Sequence, residues 1–403
     1  MSLPRNLTTE TLQLLATSMG SMVVGLLGTI LVTRALGAEG RGVYAWLLTV
    51  SSLAVTISVL AQPNIVRKLA VEKRGEHHWP TLLGSLISLN IVGSLLTTPL
   101  LMWAWLQPLG SAYPLTLAIA FASVPFMAAT GIMVVLIQLR RKTLDIILST
   151  LLPRLLVVAL IALAWTMNSL SITTAVFLNT LIGILGILVV HAWTRLPLAH
   201  WKMDRLYLRA AAGFIGAGWV SGLAGFAMPK IPLLLLPHYV PLADIGHFSL
   251  ATTLLDIALM VPAAVTSVLV SHFTRSGSSA SGRLKTLAVL SILLMGMAVV
   301  GYALAPLLLP WLFGAEFLAA VAPFRLLLLA LLLQAPLAVL SGAVTADGRP
   351  LGVLLPPVAG LAASFGMSFL LLPSGGIFGA CWAIITGYLV QLIVLAGLVR
   401  LQR

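Results

Sequence analysis

Acidic residues are scarce in this chain. Ten Asp and Glu stand against 23 Lys and Arg in 403 residues, and charged residues of both signs make up only 8%. Soluble domains carry about 25% charged residues, so the chain has too little polar surface to cover a water-soluble globule. Cysteine occurs once, as Cys381 in an apolar run, which excludes an intramolecular disulfide and makes it an expected packing residue. A Walker A sequence is missing. The nearest string, GSSASGRL from Gly277 to Leu284, has Arg283 where the lysine is needed and reads as a cytoplasmic loop, so ATP hydrolysis is not expected. His77 and His78 are adjacent but have no further ligand spacing. No metal site and no cofactor are expected.

What is present is hydrophobic, 60% of all residues. It falls in runs of about 20 residues or more, the length a helix needs to cross a ~30 Å hydrocarbon core. Closed barrels would instead show short alternating runs. The expected class is an all-α polytopic membrane protein. The pattern predicts helices near residues 11–36, 43–66, 81–106, 115–137, 144–167 and 173–194 in the first half. The second half gives 210–238, 245–272, 286–309, 322–345, 351–372 and 377–399. The first stretch is too long for a signal-peptide h-region and reads as a retained helix.

Arginine and lysine set the orientation. On this alternation one side collects 18 of the 23 basic residues, including Arg67 to Arg74, Arg140 to Lys142 and Arg195 to Arg209. Both termini are therefore expected in the cytoplasm. The exceptions are Arg34, Arg41, Arg154, Lys230 and Arg325. The net charge of +13 is a topology signal, and no nucleic-acid partner is implied. The basic loops suit contact with anionic membrane lipids.

The halves look related at an offset of 204 residues: Gly42 matches Gly246, Tyr44 faces Phe248, Pro153 matches Pro357, and Gly183 matches Gly387. With six spans each, the halves share one orientation and relate by an axis along the membrane normal. Two six-helix lobes around a central cavity are expected, as residues 1–200 and 210–403 joined by a cytoplasmic linker at 201–209.

Polar residues inside spans face a cavity or a partner helix. Thr49, Ser52 and Thr56 share one face of the second helix. Ser249, Thr252, Thr253 and Asp256 share one face of the eighth, and Gln13, Thr17 and Ser21 one face of the first. In the seventh helix Gly218, Gly222 and Gly225 form a small-residue face. Pro229, Pro232, Pro237 and Pro241 follow, so this helix should bend or break around Lys230. Gly222, Gly225, Pro229 and Pro232 are candidate gating residues. Arg154, Lys230 and Asp256 lie deepest. Lys230 and Asp256 either pair as a structural bridge, or Arg34, Arg154 and Lys230 line a cavity that takes an anion. Arg34, near the end of its span, can also snorkel. Candidate substrate-binding residues are Arg34, Arg154, Lys230, Asp256, Ser52, Thr56, Ser249 and Thr252. No catalytic residue is expected.

Four short motifs carry a family resemblance. Leu36 to Tyr44 (LGAEGRGVY) resembles the loop between helices one and two of Wzx-like polysaccharide-unit flippases, of the multidrug/oligosaccharidyl-lipid/polysaccharide (MOP) exporter superfamily. Asp244 to Ser249 (DIGHFS) looks like its second-half counterpart. Phe313 to Phe317 (FGAEF) resembles the outer loop before helix ten, and Gly375 to Ala380 (GGIFGA) the start of helix twelve. The resemblance covers about residues 5–400. It implies a MATE/MOP-like fold, alternating access, and a lipid-linked oligosaccharide substrate attached through pyrophosphate to a polyprenyl chain. It implies placement in the bacterial inner membrane, a monomer, and a downstream polysaccharide polymerase as a candidate partner. It also places Arg34 and Lys230 on helices whose basic residues meet the pyrophosphate. The family's frequent acidic residue in helix seven has no match here, where Lys230 is the charge.

Three rival readings stand beside this one. A cation-exporting multidrug antiporter needs buried carboxylates, and only Asp256 and Asp145 lie inside spans. A polysaccharide polymerase or ligase needs larger outer loops than those that hold Glu39, Asp244 and Glu316. The peptidoglycan-precursor flippase branch usually has fourteen spans against the twelve counted.

Overall fold

The computed structural model of the chain describes residues 7–60, 79–140, 143–194, 216–276, 280–346 and 350–400. These are almost entirely helical, and no strand occurs among them. The helices are α1 (Leu7–Val59), α2 (Trp79–Leu95), α3 (Thr98–Leu106), α4 (Pro108–Ala112), α5 (Pro114–Ala122), α6 (Val124–Arg140), α7 (Thr143–Thr166) and α8 (Ile172–Thr194). There follow α9 (Ala217–Ala227), α10 (Ile231–Leu235), α11 (Leu242–Ser276), α12 (Ala280–Phe313), α13 (Val321–Leu332), α14 (Gln334–Ala346) and α15 (Pro350–Arg400). Short 3-10 turns occupy Leu236–His238 and Ala315–Ala320. The expected linker at 201–209, the basic clusters at Arg67 to Arg74 and Arg195 to Arg209, and His77 and His78 lie outside the described residues. So do the side chains of Gln13 and Thr17.

Nine stretches among the described residues are long and apolar enough to cross a membrane, ten if the bent pair α9–α10 is one span. Two of them, residues 20–59 and 351–400, run 40 and 50 residues, about twice what one crossing needs. Each contains one glycine in the left-handed region, Gly37 at φ 67° and Gly376 at φ 50°. A side chain there would press its Cβ against the backbone. Divided at these bends, the ten stretches become twelve helical segments among the described residues, the number the sequence pattern predicts. The gaps left at 37–42 and 373–376 between the expected helices are corrected accordingly: helix resumes at once after each glycine. The string read as a loop after Gly277 is likewise helical from Ala280.

Proline sets most other interruptions. Expected helix 81–106 is two pieces, with Pro99 in the first turn of the second, and Pro108 and Pro114 open α4 and α5. Proline tolerates these positions because the first-turn N–H has no intrahelical partner anyway.

The chain divides into two compact units. One comprises Met1–Leu36 and Val50–Gly216, the other Gly37–Thr49 and Ala217–Arg403. Against the expected lobes at 1–200 and 210–403, the second unit begins at Ala217 and also takes in Gly37–Thr49, the start of the second leg of α1.

In the first unit α8 packs on α5, α6 and α7, and α2 packs on α6. Hydroxyls join them. Thr130 donates to the Gly183 carbonyl at 2.7 Å, and Thr116 meets Thr173 at 2.8 Å. Ser58 on α1 is fully buried and donates to Asn90 Oδ1 at 3.0 Å, while Asn90 donates to the Pro125 carbonyl at 2.9 Å. Gly93 lets α2 approach there, since a Cβ on it would lie 2.1 Å from the Ser58 oxygen. In the second unit α11 packs on α13 and α14, and α15 receives α9, α10, α13 and α14. The cysteine is buried, as its apolar setting implies, with its thiol toward the Pro323 carbonyl.

Candidate functional site

The seventh span breaks as its prolines predict. The axes of α9 and α10 differ by 60°. Pro232 has no N–H to offer the carbonyl of Met228 four residues before it. The Ser364 hydroxyl, buried on α15, donates to that carbonyl instead at 2.9 Å. Past the break, the Leu234 carbonyl accepts from the indole N–H of Trp46 at 3.2 Å. A broken helix persists inside a membrane only when its freed backbone groups find such partners.

Lys230 sits in this break and donates to Asp256 Oδ2 on α11. The lysine side chain is 18% exposed and the aspartate 44%. The Lys230–Asp256 pair, one of the two alternatives expected from the sequence, is formed. Tyr388 is buried on the second leg of α15. Pro229 and Pro232 flank the break, and Gly222 and Gly225 lie on α9 before it. Among the described residues the glycine face is not a packing seam. A Cβ at Gly218 or Gly222 would meet nothing within 4 Å, and at Gly225 only Pro357 at 4.0 Å.

The polar stripe of the eighth span ends at this pair. Ser249 and Thr252 are buried. Arg41, itself buried, donates to Ser249 Oγ at 3.4 Å and to Thr253 Oγ1 at 2.9 Å. The stripe hydroxyls donate back to their own helix: Ser249 to the Gly246 carbonyl, Thr252 and Thr253 to that of Ser249. Sequence reasoning did not select Arg41 as a site residue. Its sequence signal was only its place off the basic side, since its hydroxyl partners lie on another helix far along the chain.

The remaining candidates belong to the first unit. Ser52 and Thr56 are half-buried, with the Thr56 hydroxyl on the Ser52 carbonyl at 2.9 Å. Arg34 is exposed on the first leg of α1. Arg154 is exposed on α7 and donates to the Ser21 carbonyl at 3.5 Å. The last basic exception, Arg325, donates to the Tyr302 carbonyl at 2.9 Å and lies 4.1 Å over its ring. Thus Lys230, Asp256, Ser249 and Thr252 share one unit, and Arg34, Arg154, Ser52 and Thr56 the other. No group of three potential metal ligands occurs among the described residues.

No protein-family model and no curated protein sequence matches the chain. Solved structures do. The lipid II flippase MurJ in an inward closed conformation superposes with a TM-score of 0.77 at 13% identity, over 96% of this chain and 87% of that one. An inward-facing multidrug resistance MATE family transporter of the MOP superfamily gives 0.71 at 14% identity, over 95% and 94%. A MOP superfamily transporter from Pyrococcus furiosus, described as having a binding pocket of reverse polarity, gives 0.69 at 14% identity, over 98% and 95%. At such identities the likeness speaks for fold. The chain is a multi-pass membrane protein with the fold shared by MurJ and the MATE transporters of the MOP superfamily.

Proposed function

We propose that this protein is a flippase that moves a polyprenyl-pyrophosphate-linked oligosaccharide from the cytoplasmic to the outer leaflet of the bacterial inner membrane, for cell-surface polysaccharide assembly. The observation that carries the reading is Lys230, a cation held inside a span at the break of α9–α10. A charge at such depth costs at least about 2.5–3.5 kcal/mol on insertion scales, so its retention calls for a function. Pyrophosphate is the ligand such a cation suits. Arg34 and Arg154 add basic character within the other unit. The sugar would occupy the polar cavity while the lipid tail stays in the bilayer, with α9–α10 as the moving element and both termini cytoplasmic.

The energetics favour export. The lipid pyrophosphate carries about two negative charges, and outward movement in an inside-negative cell gains roughly 2.3 kcal/mol per charge per 100 mV. The cation-exporting antiporter is the less favoured reading. It needs buried carboxylates, and Asp256 and Asp145 are the only acidic residues inside the expected spans. The reading is tested by ligand-dependent thermal stabilisation of the purified protein. A polyprenyl-pyrophosphate oligosaccharide should raise the midpoint and a cationic drug such as ethidium should not. The reverse pattern would favour the antiporter.

A further inference from the structure

Pro306 lies inside α12 and has no N–H to give the carbonyl of Tyr302, four residues before it. Arg325 on α13 supplies the missing donor, its Nε–H bonding that carbonyl at 2.9 Å. The guanidinium carbon then stands 4.1 Å over the Tyr302 ring. This contact uses one of the five N–H groups of an arginine. The four at the end of the fork enter no hydrogen bond or ion pair among the described residues.

The surroundings of this cation are apolar and open. Met295, Val299, Tyr302 and Trp311 along α12 are each more than half exposed, and Leu329, one turn beyond Arg325, is partly so. An open apolar face on a spanning helix meets lipid chains. Tyr302 lies nine residues from Trp311, about 14 Å of helix rise, and indole rings favour the interface. The guanidinium therefore sits beneath the interface. A helical side chain leans toward the N-terminus of its helix, so Arg325 leans back toward the turn Ala315–Ala320, whose Glu316 is exposed.

Water is scarce at that level, and the acceptors a lipid-facing arginine draws to itself are phospholipid phosphates. A guanidinium fork matches two oxygens of a phosphodiester, one charge against one. We propose that Arg325, standing on the Tyr302 ring, is a binding site for the phosphate of an anionic phospholipid, whose acyl chains lie along the open face of α12 and α13. The phosphate is drawn below its usual level, and the leaflet thins beside these two helices. Both side chains belong to the second unit. The site is independent of Lys230 and of the transported substrate.

The test is native mass spectrometry of the delipidated full chain with dioleoylphosphatidylglycerol, read as lipids retained per protein. Other basic residues will hold this lipid too, so the difference between variants is the reading. Arg325→Gln is the informative change. Its Nε2 lies as many bonds from the backbone as the arginine Nε and can still serve the Tyr302 carbonyl, while the charge and the fork are gone. It should retain one lipid fewer, with affinity at that site at least about tenfold lower, and keep the wild-type thermal midpoint in lipid-free detergent. Arg325→Lys keeps the charge and loses the donor, so it should bind with intermediate affinity and have a lower lipid-free midpoint. Dioleoylglycerol, which has the same chains and no phosphate, should not distinguish the wild type from Arg325→Gln. Equal retention of phosphatidylglycerol by these two proteins would overturn the proposal. So would the same loss with dioleoylglycerol, or inorganic phosphate that stabilises the wild type as well as the lipid does. If Arg325→Gln misfolds, Tyr302→Leu keeps the carbonyl and removes the ring. Its affinity should fall about threefold, and unchanged affinity would overturn the site.

Discussion

Gly42 on α1 and Gly246 on α11 meet at one helix crossing, each filling the space the other leaves. A Cβ on Gly42 would lie 2.4 Å from the Leu242 carbonyl and 3.0 Å from the Gly246 nitrogen, and one on Gly246 would lie 1.9 Å from the Ala38 carbonyl. These two glycines correspond across the 204-residue offset. Buried Tyr44 and Phe248 follow them at matching positions, and buried Arg41 lies one residue before Gly42.

This crossing predicts the cost of a methyl group. Gly246→Ala should lower stability by about 1–3 kcal/mol, because backbone atoms oppose the new Cβ and the helices must separate. Gly222→Ala on α9, with open space around it, should be neutral or slightly stabilising by helix propensity. Thermal midpoints of the two purified variants, read by loss of the monodisperse peak, make the comparison.

Ser364 should matter for the broken span. Ser364→Ala leaves the Met228 carbonyl without the donor that Pro232 cannot supply, a loss of about 1–3 kcal/mol for a buried unsatisfied group. Ser368→Ala, whose hydroxyl returns to the Ser364 carbonyl of its own helix, should cost much less. Equal midpoints for the two variants would remove the hydroxyl from the account of the break.

The Lys230–Asp256 pair predicts a non-additive cycle. Lys230→Met and Asp256→Leu should each destabilise, by less than the about 3–5 kcal/mol of a fully buried pair, given the exposure of the aspartate. The double variant should recover most of the lost stability. It should not recover translocation, because the cation for the pyrophosphate is gone. Recovery of both would reduce the pair to a structural bridge.

Arg41→Lys tests the fit of the guanidinium. Two of its nitrogens reach Ser249 and Thr253 on successive turns of α11, a fork that an ammonium does not reproduce. The variant should lose about 1–2 kcal/mol, with Arg41→Ala losing more. Midpoints within error of the wild type would contradict the assignment.

The spans were legible because hydrocarbon demands long apolar helices, and each quoted motif proves to have a backbone reason. Gly37 and Gly376 bend α1 and α15, Gly314 at φ 115° opens the 3-10 turn before α13, and Gly246 admits α1. The break at Lys230 was legible from its prolines. The glycine spacing of α9 left open whether a neighbour is present, since spacing alone does not say. Arg41 was missed because its partners lie about 210 residues away, and hydroxyls at i, i+3 and i+4 mark a face without naming what covers it. The grouping of Gly37–Thr49 with the second unit also had no local signal, as helix period and hydropathy do not change there.

The most direct test of the central claim is translocation in proteoliposomes of a fluorescent polyprenyl-pyrophosphate oligosaccharide, followed by its accessibility to an impermeant quencher. The account predicts movement that depends on the protein, falls at least about tenfold in Lys230→Ala and weakens in Arg34→Ala, with both variants folded. Movement undiminished in both variants would keep a flippase and contradict the anion site. No movement by the wild type with the matching glycan supplied would contradict the account itself.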